Sequence, residues 1–184
     1  MNFFSKKQKI STEVMTHLIF ETTKIESTNI FSLLDKVGIV YDETEVQLTV
    51  IAINYELCRY ALYKGNKKDI VDNVLKKVYD QFFNIMQVGP DKLKEYETIM
   101  LNVKKKLKDI FSIKKLLAPK EEFIYRLFLE QISVKEQIID KYYVREFLLF
   151  AQRWLNNAEG INNTYLIYDT EEDLKKNEHI DFRF

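Results

Sequence analysis

The chain has 184 residues, 46% of them hydrophobic, and its 28 Lys and Arg residues balance 28 Asp and Glu residues. This composition predicts one globular domain, and a net charge of zero gives the whole chain no general attraction to nucleic acid or to an acidic membrane. The single cysteine, Cys58, excludes an internal disulfide, and no apolar run reaches the roughly 20 residues of a membrane span. The N-terminus places apolar residues before its charges, the reverse of a secretory signal, so we expect a cytoplasmic location.

Glycine and proline divide the sequence into helical units joined by short loops. The four glycines each follow a periodic apolar stretch, where a helix C′ residue is expected: Gly38, Gly65, Gly89 and Gly160. The predicted helices cover residues 11–24, 27–37, 42–64, 66–88, 90–110, 119–132 and 134–157. Ser11 or Thr12 is expected to cap the first helix, Ser27 or Thr28 the second, and Asn66 the fourth. A capping-box pattern from Ser133 to Glu136 indicates a restart between the last two helices.

The helix over residues 42–64 is predicted to be the centre of the domain. Asp42 and Glu45 have the spacing of a capping box. Apolar residues then cover nearly the whole circumference of the helix, which is typical of a helix that is buried on all sides.

The last two dozen residues have a different pattern. Residues 164–168 and 180–184 read as short β-type runs, with a capped acidic turn between them. A hairpin-like tail and disorder of the last residues both remain open. The predicted organisation is therefore a helical domain over residues 1–160 and a tail over residues 161–184 that packs on it or is partly disordered.

These patterns predict an all-α fold. We expect a single-domain bundle of six or seven mainly antiparallel helices around the buried 42–64 helix, followed by a short tail with β structure. An irregular helical array, as in solenoid folds, is the alternative.

Several classes of catalytic or metal site are excluded by residue supply or spacing. The glycines are too far apart for a phosphate-binding loop, and one cysteine with two histidines is too few for a zinc site. Neither His17 nor His179 has the Glu three residues earlier that a di-iron bundle uses. The acidic turn at residues 169–173 lacks the glycine of an EF-hand loop. We therefore predict no cofactor and no catalytic residue, and we lean toward a protein that is not an enzyme.

The polar residues of the 42–64 helix are the first candidates for a site. Asn54, Glu56 and Arg59 lie on an otherwise apolar helix, and Glu56 and Arg59 have the spacing to pair with each other. Such a pair serves the structure alone, whereas an unpaired buried Glu56 has a raised pKa and becomes a functional candidate. The ligand-binding set that we predict is Asn54, Tyr55, Glu56, Arg59, Tyr142 and Tyr143.

Two further groups are weaker candidates. Glu13, His17 and Glu21 lie on one helix face, where they offer either a metal or acid–base cluster or ordinary pairing on a solvated face. The basic patch consists of Lys104, Lys105, Lys106, Lys108, Lys114 and Lys115, which is either the solvated side of an amphipathic helix or a contact for an anionic surface. Cys58 has no neighbouring base in sequence, which favours a place in the core over a nucleophilic role.

Three functions are compatible with this sequence. The leading hypothesis is a non-enzymatic helical protein-interaction module, such as an adaptor, regulator or inhibitor, because catalytic motifs are lacking and Tyr and Phe are abundant. The alternative is a small-molecule-binding or enzymatic bundle with a polar site around Glu56 and Arg59. The third is a weak contact with a membrane surface or nucleic acid through the lysines of residues 104–115, with Phe3 and Phe4 adding to a membrane contact. We expect another protein as the partner; the oligomeric state is left open.

Overall fold

The computed structural model describes residues 7–87, 89–112, 119–132 and 141–168, with the side chains of residues 141 and 142 left aside. Its elements in chain order are β1 (Gln8–Ser11), α1 (Thr12–Val37), α2 (Glu43–Leu62), α3 (Lys68–Met86), α4 (Pro90–Ser112), α5 (Lys120–Gln131), α6 (Lys141–Thr164) and β2 (Tyr165–Tyr168). The predicted all-α helical bundle is confirmed, with one small sheet formed by the two strands. None of the described helices combines the length and hydropathy that a membrane span requires.

Helix α2 is the centre of the bundle, as its apolar circumference predicts. It contacts each of the other described helices, and thirteen of its 20 residues are buried. The Asp42 side chain caps it by accepting a hydrogen bond from the backbone N–H of Glu45 at 2.9 Å. Because α2 has neighbours on nearly every side, its few polar residues must find partners on other helices or line a cavity.

Helix α1 is continuous, so the predicted division between residues 24 and 27 is wrong. Ser11 caps its N-terminus through a hydrogen bond from the N–H of Val14. Ser27 and Thr28, expected to begin a second helix, instead donate their hydroxyls to the carbonyls of Thr23 and Lys24 one turn earlier. Hydroxyl groups bonded in this way are compatible with a helix interior, so two potential cap residues did not interrupt it.

The glycines mark fewer helix ends than their spacing suggests. Gly38 ends α1 in the left-handed conformation, with φ of 72°. Gly65 and Gly89 do not have positive φ, and α3 ends instead at Gln87, with φ of 50°. Gly160 lies inside α6, which continues to Thr164 because Ala158 and Ile161 still pack into the core.

Asn66 is not the cap of α3, whose N-cap residue is Lys67. The Asn66 side chain instead joins two distant parts of the chain. Its Nδ2 donates to the carbonyl of Leu62 at 3.0 Å, and its Oδ1 accepts from the N–H of Ile167 in β2 at 2.8 Å. The loop between α2 and α3 is thereby attached to the sheet.

The strand predicted at residues 164–168 is present as β2, and its partner is β1. The two strands are parallel, with Gln8 opposite Tyr165 and Ser11 opposite Tyr168. The second predicted β run, at residues 180–184, and the restart at residues 133–136 lie outside the described residues.

Candidate functional site

A cleft of about 640 Å³ lies between α2, α3 and α4. Helix α2 forms its floor, while α3, packed mainly on α1 and α2, and α4, packed mainly on α2 and α5, form its walls. Each helix contributes one face, because the lining positions recur at helical spacing. The lining residues are Tyr55, Glu56 and Arg59 on α2, Asp72, Lys76 and Tyr79 on α3, and Tyr96, Glu97, Met100, Leu101 and Lys104 on α4.

An aromatic cluster joins the two walls at the end of the cleft nearer the α3–α4 turn. The ring centroids of Tyr79 and Tyr96 are 4.5 Å apart, and Phe83 stands edge-on to Tyr96 at 5.0 Å. Tyr55 on the floor meets the edge of Tyr79 at 6.3 Å. From Tyr96 to Lys104, α4 rises about 12 Å, which gives the approximate length of the cleft.

Tyr96 brings an unpaired hydroxyl to this end. Its side chain is only 1% exposed, and Oη finds no hydrogen-bond partner within the described residues. Leaving a buried hydroxyl unpaired costs about 1–3 kcal/mol, so such groups call for an explanation. The ring of Tyr96 lines the cleft, whereas Oη itself has almost no accessible surface and is closed off from the open part of the cleft.

Glu56 and Arg59 form an ion pair on the floor. Arg59 Nε and Nη2 both donate to Oε2 of Glu56, at 3.0 and 2.5 Å. Oε1 of Glu56 makes no hydrogen bond to the described residues, although the Glu56 side chain is 5% exposed. Burial raises the pKa of Glu56, and the charge of Arg59 offsets only part of that rise.

A chain of polar contacts continues from Arg59 to the wall formed by α3. The Arg59 guanidinium lies 5.6 Å from the centre of the Tyr63 ring, and Tyr63 donates its hydroxyl to Oδ1 of Asp72 at 2.5 Å. Burial, together with this hydrogen bond, raises the pKa of Tyr63 to about 12, so the phenol stays protonated at neutral pH. Arg59 is therefore held on two sides, and its position on the floor is fixed.

The predicted ligand-binding set is only partly brought together. Tyr55, Glu56 and Arg59 line the cleft, whereas Asn54 does not. A helix turns about 200° over two residues, so Asn54 faces α1 when Glu56 faces the cleft. Tyr143 lies on α6, away from the cleft, and the side chain of Tyr142 lies outside the described residues.

The contributions of α3 and α4 to the cleft were not predicted. Their lining residues follow helical spacing, but so do the solvated faces of most helices. Which of these faces borders a cavity depends on the angle at which each helix packs on α2. A single sequence has no local signal for that angle.

The candidate metal cluster and the basic patch are dispersed over different environments. Glu13 and His17 are exposed, and the described residues hold no group of three His, Cys, Asp or Glu side chains suited to a metal ion. Lys104 lines the cleft, whereas Lys106 pairs with Glu130 of α5. Lys105 and Lys108 are exposed on α4; Lys114 and Lys115 lie outside the described residues.

A second buried carboxylate, Glu26, was missed because it falls where the sequence predicts a break between helices. Its side chain is 2% exposed and joins α1 to α6. Asn157 Nδ2 donates to Oε1 at 2.9 Å, and Arg153 Nε donates to Oε2 at 3.2 Å. Burial raises the pKa of Glu26 in spite of Arg153. These contacts tie together the first and last described helices.

Comparison with models of known protein families, with curated protein sequences and with solved structures gives no significant match to this chain.

Proposed function

We propose that the protein binds a small organic molecule in the cleft between α2, α3 and α4. The carrying observation is a cleft with predominantly apolar walls that is closed at one end by the rings of Tyr79 and Tyr96 and has Glu56 and Arg59 on its floor. A volume of about 640 Å³ falls within the range of roughly 300–1,000 Å³ that is usual for ligand sites. The Glu56–Arg59 pair supports the proposal through its position on the cleft floor, where Oε1 of Glu56 makes no hydrogen bond to the described residues.

The shape of the cleft supports a small molecule over a docked helix. The contact between Tyr79 and Tyr96 closes one end, so an occupant enters from the other end or from above. A partner helix lying along the groove would need room beyond both ends of a space about 12 Å long. A compound of one or two rings fits within that length.

A fragment screen on the full chain tests this proposal. Compounds that raise the melting temperature are expected to bind the wild type and to lose affinity in Met100→Trp, because the larger indole narrows the cleft. Ile85→Trp is the matched control, since Ile85 is 67% exposed on α3 and does not line the cleft. Circular dichroism verifies that both variants fold. A screen without hits, or hits that bind Met100→Trp equally well, would contradict the proposal.

A protein partner is the second candidate, and it rests on α4. Leu93 and Leu101 are 38% and 69% exposed, and both stand on the side of this helix that borders the cleft or continues from it. Exposed leucines two turns apart on one helix suit a contact with another protein, in the manner of an adaptor or regulator. Leu93→Asp and Leu101→Asp should then abolish capture of a partner, whereas Val40→Asp, at a position 96% exposed, should leave it intact. Equal capture by all three variants would remove this candidate.

A further inference from the structure

The charges around the cleft balance. Of its lining residues, three are acidic and three are basic: Glu56, Asp72, Glu97, Arg59, Lys76 and Lys104. Glu56 is already paired with Arg59, and Asp72 accepts from Tyr63. A site with this balance has no net field to favour an anion over a cation. The electrostatic attraction that it offers a charged ligand is too weak to offset the loss of that ligand's hydration. The matching occupant carries no net charge.

The aromatic end favours a flat ring. Tyr79 is packed edge to face with both Tyr55 and Tyr96, and all three residues line the cleft. Aromatic rings prefer offset-stacked and edge-to-face neighbours, and these contacts add about 0.5–1.5 kcal/mol beyond the burial of area. A planar aromatic compound extends this cluster into the cleft, whereas a saturated ring of the same size cannot.

One polar atom of the cleft defines where a hydrogen bond is still to be made. Both nitrogens of Arg59 bond to Oε2 of Glu56, and Oε1 has no donor among the described residues. Tyr96 Oη has almost no accessible surface, so a molecule in the cleft meets the Tyr96 ring and not its hydroxyl. A ligand that carries an N–H donor can satisfy Oε1. A site that leaves such a group unpaired discriminates against compounds without a donor.

Resting on the proposed function, we infer that the ligand of this cleft is a neutral planar heteroaromatic compound that packs on the aromatic end and donates an N–H to Glu56 Oε1. The rings of the ligand pack at the aromatic end, and the exposed charged residues remain in water: Asp72, Lys76, Glu97 and Lys104. Because the ligand is uncharged, its affinity should change little with ionic strength.

Isothermal titration calorimetry of the full chain with four probes tests this inference at neutral pH. Quinazolinone is the neutral heteroaromatic probe, with one N–H donor and one carbonyl acceptor. Naphthoate and naphthylmethylammonium match its two rings but carry a charge, and decalol is neutral but saturated. Quinazolinone should bind roughly ten-fold or more tightly than any of the other three, which corresponds to about one satisfied hydrogen-bond pair.

One substitution assigns the polar contact. Glu56→Gln replaces the carboxylate by an amide, which is a weaker acceptor, so quinazolinone should lose roughly five- to ten-fold in affinity. Tyr60→Phe is the matched control, since Tyr60 also lies on α2 but its hydroxyl contacts the Phe111 carbonyl outside the cleft.

The two proposals fail in different ways. A charged probe that binds more tightly than quinazolinone, and that Met100→Trp excludes, overturns the neutral class while supporting a ligand site in the cleft. No binding by quinazolinone, or an unchanged affinity in Glu56→Gln, likewise overturns the class. Only a fragment screen without cleft-dependent hits overturns the ligand site itself.

Discussion

Asn54 on α2 donates a hydrogen bond from Nδ2 to Oγ1 of Thr23 on α1, and both side chains are almost completely buried. The Thr23 hydroxyl in turn donates a hydrogen bond to the carbonyl of Ile19 at 2.8 Å. The Cys58 thiol stands 3.9 Å from Oδ1 of Asn54. Asn54 therefore connects the central helix to α1, and Glu56 and Arg59, two and five residues later, are left to face the cleft. Asn54 thus has a structural role, whereas Glu56 and Arg59 belong to the candidate site.

Asn54→Ala should lower the free energy of unfolding by about 1–3 kcal/mol, because it leaves Thr23 without its donor and opens a small void. Urea unfolding followed by circular dichroism measures the change. The control is Thr28→Ala, which removes an exposed hydrogen bond from a threonine hydroxyl to a backbone carbonyl of α1. It should lower the free energy of unfolding by no more than about 0.5 kcal/mol. Equal losses in the two variants would show that the contact between α1 and α2 contributes nothing specific.

Glu26 should make stability depend on pH. Burial raises its pKa above 4.5 in the folded state, so the native protein binds this proton more tightly than the unfolded chain does. The contribution of Glu26 is therefore most favourable below pH 4.5 and declines as the pH rises through the raised pKa. The free energy of unfolding of wild type minus that of Glu26→Gln should fall over this interval, measured by urea unfolding across the pH range.

Glu13→Gln is the control for that experiment, because the pKa of Glu13 is shifted in the opposite direction. A hydrogen bond from its own backbone N–H, with another from Thr12, lowers the pKa of this exposed carboxyl. Its contribution is present above pH 4.5 and is lost as the pH falls through the lowered pKa. The two differences in the free energy of unfolding should change with pH in opposite directions. Differences that change in the same direction for Glu13→Gln and Glu26→Gln would contradict the assigned pKa shifts.

Cys58 should be inert toward thiol reagents in the native protein. Burial raises its pKa to about 12 from 9.0, which leaves about 1,000-fold less thiolate than an ordinary thiol has at neutral pH. Because the chain has one cysteine, the reaction with Ellman's reagent reports this site alone. We expect one equivalent to react in urea and almost none without it.

An exposed thiol in the same fold provides the reference rate for that measurement. Ser32→Cys in a Cys58→Ala background places a cysteine on the exposed side of α1. It should react at the rate of a model thiol. Native Cys58 reacting as quickly as Cys at position 32 would show that the core around α2 opens readily.

Features of this fold that depend on local sequence patterns can be predicted from the chain, whereas features that depend on contacts between distant segments cannot. The buried state of α2 was predictable because nearly every position on its circumference is apolar, which is a local property. The pairing of Gln8 with Tyr165 was not predictable, since a parallel partner so distant in the chain leaves no short-range signal. The α3 and α4 walls of the cleft were missed for the same reason, because lining a cavity depends on how whole helices pack.

Helix ends show the same limit on a smaller scale. Ser27 and Thr28 have the composition of cap residues, yet each bonds to a carbonyl within α1. Gly160 resembles a helix stop, yet α6 continues through it because later residues pack in the core. A residue that permits an end does not impose one when burial beyond it favours the helix.

Gly38 and Gly160 should therefore respond to alanine with opposite signs. Gly38 has φ of 72°, where an L side chain is strained, so Gly38→Ala should lower the free energy of unfolding by about 1 kcal/mol. At Gly160, inside α6, an added Cβ meets no described atom within 4 Å beyond its chain neighbours and the backbone of its own helix, so Gly160→Ala should raise the free energy of unfolding by about 0.5–1 kcal/mol through helix propensity. Paired urea unfolding curves measure both changes. Destabilisation by Gly160→Ala would mean that α6 does end near residue 160, as the glycine pattern alone predicts.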